Sequence, residues 1–294
     1  MLLARSPAVS GNALAALSMV VWAFGFPALE VLLQTWSPAA VATGRFVLSL
    51  LLLVPVLLAM EGWPRGMPWG RALLYGAVGL GGGTFLMILA QAATDPVTVA
   101  VIASVTPLAA TLVEWAEDRR PLSRGFLLGL GASVLGGVVA TAGSRAEGGS
   151  LAVGVALAVG SCLVYSWGSH RTVRGLPGQS ALAQSTATIA GGLLLAGAAF
   201  AGVAALGGPG LPPGAFSGRD LGLLAVYALG GMALSQLLFV LAIRRIGVAL
   251  ASFHVNGTPF YVMLIMLAFG GGWSWMQALG AAVVVGGVVL AQRA

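Results

Sequence analysis

The run Val255-Asn256-Gly257-Thr258-Pro259-Phe260-Tyr261 has a counterpart earlier in the chain, Val101-Ile102-Ala103-Ser104-Val105-Thr106-Pro107-Leu108. Each run places a Thr-Pro pair inside a long apolar segment. Proline has no backbone N–H, and its ring clashes with the carbonyl four residues before it, so each pair is expected to interrupt a helix. We therefore predict that Pro107 and Pro259 are hinges. A structural kink with no further role is the alternative, because proline is frequent in membrane helices.

The composition is typical of a membrane protein. Of the 294 residues, 59% are hydrophobic and 7% are charged, and the mean hydropathy is +0.98. An ordinary soluble domain carries roughly 25% charged residues. We therefore predict an all-α polytopic protein embedded in a lipid bilayer. The net charge of +6 is spread over short loops, which argues against a nucleic-acid surface. No metal-binding or cofactor motif is present in the sequence, so no metal and no cofactor are expected.

Ten apolar runs are long enough to cross a bilayer as helices, which takes roughly 20 residues each. Arginine placement sets their orientation, because cytoplasmic loops are enriched in positive charge. With the N-terminus inside, eleven of the 14 arginines fall in cytoplasmic segments and two in outer loops. We predict ten transmembrane helices with both termini in the cytoplasm. The runs lie near 12–34, 38–60, 71–92, 96–116, 124–142, 150–170, 180–206, 220–243, 248–269 and 273–292.

The two halves of the chain share short patterns in the same order. Besides the Thr-Pro pairs, Gly-Gly-Val-Val occurs at 136–139 and again at 286–289, and an aromatic-Gly pattern occurs at 22–25 and at 165–168. These matches predict two five-helix units, residues 1–143 and 144–294. Because five is odd, the second unit enters the membrane from the opposite side. The repeat is therefore predicted to be inverted, and in such folds helix breaks at matched positions indicate a binding site.

These features together resemble the drug/metabolite transporter superfamily. The resemblance rests on ten helices in two inverted repeats, the aromatic-Gly pattern on helices 1 and 6, and the prolines of helices 4 and 9. The chain looks like an EamA-type exporter and is most similar to the bacterial aromatic amino-acid exporters. The resemblance implies a central cavity enclosed by helices 1, 3, 4, 6, 8 and 9, with helices 5 and 10 at the periphery. It also implies amino acids or related metabolites as substrates.

Two charged residues inside predicted spans are candidates for coupling or binding, since a charge in a membrane helix costs roughly 2.5–3.5 kcal/mol. Glu30 lies near the outer end of helix 1, and Arg45 lies in the outer half of helix 2. The short hairpin between them allows a structural ion pair. The functional alternative assigns proton coupling or a substrate ammonium group to Glu30, and a substrate carboxylate to Arg45.

Polar residues around the Thr-Pro pairs are the next candidates for substrate binding. Asn256 and Thr258 correspond in the repeat to Ser104 and Thr106, and all four offer hydrogen bonds beside a proline. His254 titrates near neutral pH, which makes it a candidate for carrying or sensing a proton. The alternative is that these side chains only satisfy the carbonyls that the prolines leave free.

Aromatic residues deep in helices 1 and 6 are predicted to form the apolar walls of the substrate site. They are Trp22, Phe24 and Trp167, for which ordinary packing is the alternative. Gln236 on helix 8 and Tyr261 on helix 9 are further candidates.

Other residues are expected to be structural. Asp95 is predicted to cap the start of helix 4, Glu114 to lie at the membrane interface and Cys162 to pack in the apolar core. Glycines give helices 5 and 10 small faces, which allow close packing with each other or in a dimer.

These patterns predict a transporter that exports amino acids or similar metabolites across the bacterial inner membrane by alternating access. Transport would be facilitated or coupled to protons, by a monomer or a homodimer. The near alternative is a drug or nucleotide-sugar transporter of the same superfamily, although sparse charge disfavours a highly anionic substrate. The distant alternative is a non-transporting membrane protein or an enzyme acting on lipids, which the lack of a polar catalytic cluster disfavours.

Overall fold

The computed structural model of the chain describes residues 7–119, 121–144, 148–239, 241–242, 245–246 and 254–292. Within these ranges every regular element is a helix. Part of the predicted spans 220–243 and 248–269 lies outside the described residues. The same holds for five of the arginines on which the predicted orientation rests, namely Arg5, Arg120, Arg145, Arg244 and Arg293.

We number the helices α1–α10 in chain order. Five are uninterrupted: α2 (Pro38–Met60), α5 (Arg124–Thr141), α6 (Gly148–Gly175), α7 (Ala181–Ala205) and α10 (Trp275–Gln292). The others consist of consecutive segments: α1 of Pro7–Ala23 and Gly25–Leu32, α3 of Trp69–Tyr75, Gly76–Gly82 and Gly83–Ala93, and α4 of Pro96–Ala103 and Thr106–Asp118. Helix α8 contains Gly218–Ala225 and Val226–Leu234 and continues to Phe239, and α9 contains His254–Gly257 and Thr258–Ala268.

Seven of the described helices are long and apolar enough to cross a membrane, and the bent pair of segments in α4 makes an eighth. The apolar helices His254–Ala268 and Trp275–Ala291 are shorter. The all-helical membrane fold is thus confirmed. The count of ten spans, the N-in orientation and the division into repeats at residue 143 remain predictions.

Short polar side chains set where several helices begin. Asp95 caps α4 as predicted: its carboxylate accepts the backbone N–H of Thr98 at 2.9 Å, and Pro96 follows at the first helical position. The same capping by a serine hydroxyl begins four other helices, with the caps Ser37, Ser123, Ser180 and Ser217. Local sequence therefore explains these helix starts.

Both prolines of the Thr-Pro pairs lie at the start of a helical segment. In α4 the segments before and after the break are bent by 42°. Pro107 cannot bond the carbonyl of Ala103, and the hydroxyl of Thr106 donates to that carbonyl instead, at 2.6 Å. In α9 a 3₁₀ turn, His254–Gly257, precedes the segment that begins at Thr258. The predicted interruptions are therefore present in both helices.

Helices α3 and α8 each contain a π-helical segment, which the sequence analysis did not predict. The segments are Gly76–Gly82 and Val226–Leu234. Side chains of α2 bond the carbonyls of the second one: Ser49 donates to Ala228 at 3.1 Å, and Arg45 donates to Gly231 at 3.0 Å. The irregular part of α8 is thus held by α2. Such segments are frequent at functional sites.

Glycines let several helices approach each other closely. Gly79 of α3 faces Gly168 of α6, and a Cβ on either glycine would overlap the other. The predicted small faces of α5 and α10 pack against each other in the same way, with Gly129 opposite Gly287. Because α3 and α6 come from different halves of the chain, these contacts join the two halves.

The buried apolar side chains form two main clusters, and each contains residues from both halves of the chain. One cluster includes Phe46 and Leu53 of α2 with Ile189 of α7. The other includes Val99 and Leu108 of α4 with residues of α9 and α10, such as Val262. The two halves are therefore interleaved rather than folded as separate units.

Candidate functional site

A cavity of about 470 Å³ lies between seven helices. The six helices that the family resemblance implied, α1, α3, α4, α6, α8 and α9, all contribute to its lining, and α2 adds Arg45. The peripheral helices α5 and α10 contribute nothing to it. The volume falls in the range of roughly 300–1,000 Å³ that is usual for small-molecule sites.

About half of the residues that line the cavity carry a polar or charged side chain, but most of the accessible wall is apolar. Charged groups come from Arg45 and Glu114, and an amide comes from Gln236. Hydroxyl groups of serine, threonine and tyrosine are distributed among α1, α3, α4, α6 and α8. The largest apolar lining residues are Met19, Trp22, Leu80, Met87, Met232 and Phe239. This combination suits a ligand with an apolar body and a small polar end.

Five of the predicted site residues line the cavity, and they come from four helices. They are Trp22 of α1, Arg45 of α2, Thr106 and Pro107 of α4, and Gln236 of α8. Trp22 also packs edge-on against Phe26, with ring centroids 5.3 Å apart. The break in α4 is therefore part of the cavity wall.

Two of the predicted aromatic residues lie away from the cavity. Phe24 falls between the two segments of α1, is 41% exposed and is not among the residues that line the cavity. Trp167 packs against Tyr75 of α3, with ring centroids 6.2 Å apart. Each lies two residues beyond a residue that does line the cavity, Trp22 or Tyr165. Two residues along a helix turn a side chain by about 200°, which explains the difference.

The cavity residues that the sequence analysis missed follow from helical spacing. On α4 the cavity face continues from Thr106 through Ala110 to Glu114, and on α6 it runs through Cys162, Tyr165 and Ser169. Steps of three or four residues mark one side of a helix. Cys162 was expected only to pack and Glu114 only to lie at the interface, but both line the cavity.

The remaining candidates of α4 and α9 do not line the cavity. Ser104 is fully buried and donates to the carbonyl of Val101 at 2.6 Å. His254 lies 3.0 Å from the side-chain oxygen of Asn12 on α1. The ring of Tyr261 lies against Gly257 at the end of the 3₁₀ turn.

The polar side chains at the α9 break differ from their counterparts at the α4 break. The amide of Asn256 and the hydroxyl of Thr258 are both buried, and neither has a hydrogen-bond partner among the described residues. In α4 the hydroxyl of Thr106 is bonded. The two breaks therefore differ in how their polar side chains are bonded within the described residues.

Glu30 and Arg45 have separate partners in place of the predicted ion pair. Glu30 accepts a hydrogen bond from the amide of Gln91 at 3.3 Å, and Gln91 also donates to the carbonyl of Phe26 at 2.8 Å. The Arg45 guanidinium bonds Gly231 and lies over the ring of Tyr227, 4.0 Å from its centre. Among the described residues, none of the ion pairs includes Arg45.

Polar contacts join helices at the end of the bundle that the arginine pattern places outside. The indole of Trp36 donates to Asp220 at the start of α8, at 2.9 Å. The amide of Gln277 on α10 donates to Asp95 at 3.0 Å. Both contacts connect the first half of the chain with the second. Along α4 and α8, the cavity residues lie farther from this outer end than the contacts of Asp95 and Asp220 do.

At the opposite end, two arginines of α6 bind the end of α4. Arg171 pairs with Glu117 at 2.6 Å, and Arg174 binds Asp118 through both guanidinium nitrogens, at 2.5 and 2.6 Å. These pairs are largely exposed, so each is worth at most about 1 kcal/mol. In the part of the chain that the structure describes, no group of three or more His, Cys, Asp or Glu side chains could hold a metal ion.

The sequence pattern of the EamA-like transporter family matches residues 9–142. A crystal structure of a protein with 18% sequence identity superimposes with a TM-score of 0.67, covering 96% of this chain and 96% of that chain. At that identity the likeness shows a shared fold and nothing about the substrate. No curated protein sequence matches this chain.

The fold is that of a helical membrane protein, with a cavity between its two halves whose volume suits a small molecule. Residues 9–142, just under half of the chain, are similar to the EamA-like transporter family.

Proposed function

We propose that the protein exports amino acids with apolar or aromatic side chains, and similar small metabolites, across a bacterial inner membrane. The observation that carries this proposal is the mainly apolar cavity of about 470 Å³ with isolated polar groups. An amino acid has the same division into an apolar side chain and a small polar head. Trp22 and the methionines of α1, α3 and α8 would surround the side chain.

Transport would occur by alternating access of this cavity to the two sides of the membrane, without ATP. The two inverted repeats, 1–143 and 144–294, would supply equivalent breaks at Pro107 and Pro259 about which the helices bend. With both termini in the cytoplasm, the contacts of Trp36 and Gln277 join helices of the two halves at the outer end. At the inner end the ion pairs of Arg171 and Arg174 join only α6 and α4. We therefore assign the present conformation as inward-facing. Asn256 and Thr258, which lack partners among the described residues, would gain access to substrate or water in the outward-facing state.

Uptake into proteoliposomes tests this function. A labelled panel of amino acids, a quaternary ammonium drug and a nucleotide sugar would be offered with and without a pH gradient. Saturable amino-acid flux is expected, and a response to the gradient would assign proton coupling rather than facilitated diffusion. Flux of the drug or the nucleotide sugar without amino-acid flux would overturn the proposal and place the protein in another branch of the superfamily.

The direction of cavity opening gives a second prediction, tested by labelling an introduced cysteine. In a Cys162→Ser background, Ser169→Cys in the cavity wall is expected to react with a membrane-impermeant thiol reagent in inside-out vesicles but not in spheroplasts. The reacted protein should lose transport, because the label occupies the cavity. Labelling is read by mass shift and transport by flux in the same vesicles.

Phe216→Cys is the matched control for sidedness. Phe216 is 77% exposed in the loop before α8, which the arginine pattern places outside. This variant should react in spheroplasts only. Labelling of Ser169→Cys from the outer side would contradict the inward-facing assignment, and inner-side labelling of Phe216→Cys would contradict the orientation itself.

A further inference from the structure

The side chain of Arg45 is a buried cation in the cavity wall. Arg45 lies on α2, is 7% exposed, and is the residue through which that helix reaches the cavity. Arginine stays charged at every physiological pH. A full positive charge is therefore fixed in the outer half of a membrane-spanning helix, next to the space that a substrate would occupy.

The contacts of the guanidinium fix its position without neutralising its charge. Nη2 donates to the carbonyl of Gly231 at 3.0 Å, in the π-helical segment of α8. The guanidinium carbon lies 4.0 Å above the ring of Tyr227, a cation–π contact. Nε is buried and has no acceptor within the part of the chain that the structure describes. A carbonyl and an aromatic ring orient the group, but neither carries a negative charge.

No carboxylate of the described residues forms an ion pair with Arg45. Glu30, the predicted partner, accepts from Gln91 instead. The acidic residue of the cavity wall, Glu114, lies two turns beyond Thr106, near the end of α4 that binds the arginines of α6. An uncompensated charge in a membrane interior is costly and usually marks a functional group.

We propose that Arg45 binds the carboxylate of the transported substrate. This inference rests on the proposed function and assigns the residue that would recognise the acid group. The planar guanidinium suits a carboxylate, because its N–H groups match the two oxygens of the anion. The stacking on Tyr227 and the hydrogen bond to Gly231 hold the guanidinium group in one orientation before the substrate binds. The rest of the cavity receives the apolar part of the molecule.

A competition experiment in proteoliposomes tests the inference with the wild-type protein. Flux of labelled L-phenylalanine is measured against unlabelled L-phenylalanine and L-phenylalaninamide, which differ only in that an amide replaces the carboxylate. The acid is expected to compete roughly 10- to 100-fold better than the amide, the ratio that a lost charge-assisted hydrogen bond implies. Equal competition by the two compounds would overturn the inference and leave the transport of amino acids standing.

Variants separate recognition from structural support. Arg45→Gln should remove the preference for the acid over the amide, and Arg45→Lys should retain part of it through its charge. Ser49→Ala is the matched control, because Ser49 also donates to the π-helical segment of α8 but carries no charge. It should keep the full preference even if yield falls. A preference unchanged in Arg45→Gln, or lost equally in Ser49→Ala, would reject the role in recognition.

The two proposals fail in different ways. If wild-type protein carries neither the acid nor the amide, while another class in the panel is carried, the proposed function is wrong and the inference falls with it. If wild-type protein carries both compounds without preference, only the role of Arg45 is wrong.

Discussion

Gly79→Ala is expected to prevent accumulation of folded protein. The Cβ of an alanine at this position would overlap the backbone of Gly168, so α3 and α6 would have to separate where the two halves of the chain cross. Neither partner has a flexible side chain that could move aside. Overpacking of this kind costs about 3 kcal/mol or more. The measurement is the yield of monodisperse protein in detergent and its melting temperature.

Gly82→Ala is the matched control on the same helix. Gly82 lies at the end of the same π-helical segment, but a Cβ there meets the side chain of Val164 at an ordinary contact distance of 3.5 Å. Its yield and melting temperature should stay close to those of the wild type. Normal folding of Gly79→Ala would show that α3 and α6 are farther apart than described here.

Trp22→Ala is expected to reduce transport of bulky apolar substrates much more than that of small ones. Trp22 forms a large apolar part of the cavity wall, and a phenylalanine or leucine side chain would lose that contact. Burial of such a side chain is worth about 1.5–3 kcal/mol, so losing part of it should raise the KM about tenfold. Alanine, whose side chain is a single methyl group, should be affected by less than about twofold. The measurement is the ratio of the KM values for phenylalanine and alanine.

Trp167→Ala controls for the loss of a large aromatic residue from the bundle. Trp167 packs on Tyr75 and lies outside the cavity, although the sequence placed it in the site together with Trp22. Its substitution should lower stability and affect both amino acids equally. An equal KM change for both amino acids in Trp22→Ala would indicate packing damage rather than a lost substrate contact.

The sequence predicted the helical membrane fold because a chain inside a bilayer can satisfy its backbone hydrogen bonds in only a few kinds of structure. A chain that is 59% hydrophobic and 7% charged has the composition of a membrane protein, and apolar runs of membrane length must form helices to satisfy their backbone groups. The helix breaks at both Thr-Pro pairs and the cap at Asp95 are equally local, since each depends on residues close in sequence. These features could be read from short stretches.

The candidate site was predicted only in part, because side-chain direction decides it. Trp22 and Phe24 are equally apolar and nearly equally deep, yet only Trp22 faces the cavity. The π-helical segments shift that direction further, and no short pattern identified them beforehand. Residues on one side of a helix recur every three to four positions. Counting onward in such steps from Thr106 or Tyr165 predicts Ala110, Glu114 and Ser169 as cavity residues.

The sequence by itself determined that this chain is a helical membrane protein with breaks at two matched prolines, because hydropathy and proline act on the nearest residues. Only the tertiary structure decided which residues meet across the bundle. In the folded protein Arg45 contacts the carbonyl of Gly231 and the ring of Tyr227, and not Glu30 as predicted. Residues of both halves also pack together in each of the two buried clusters. Such contacts depend on helix rotation and on close packing at glycines, and both are set by the whole bundle.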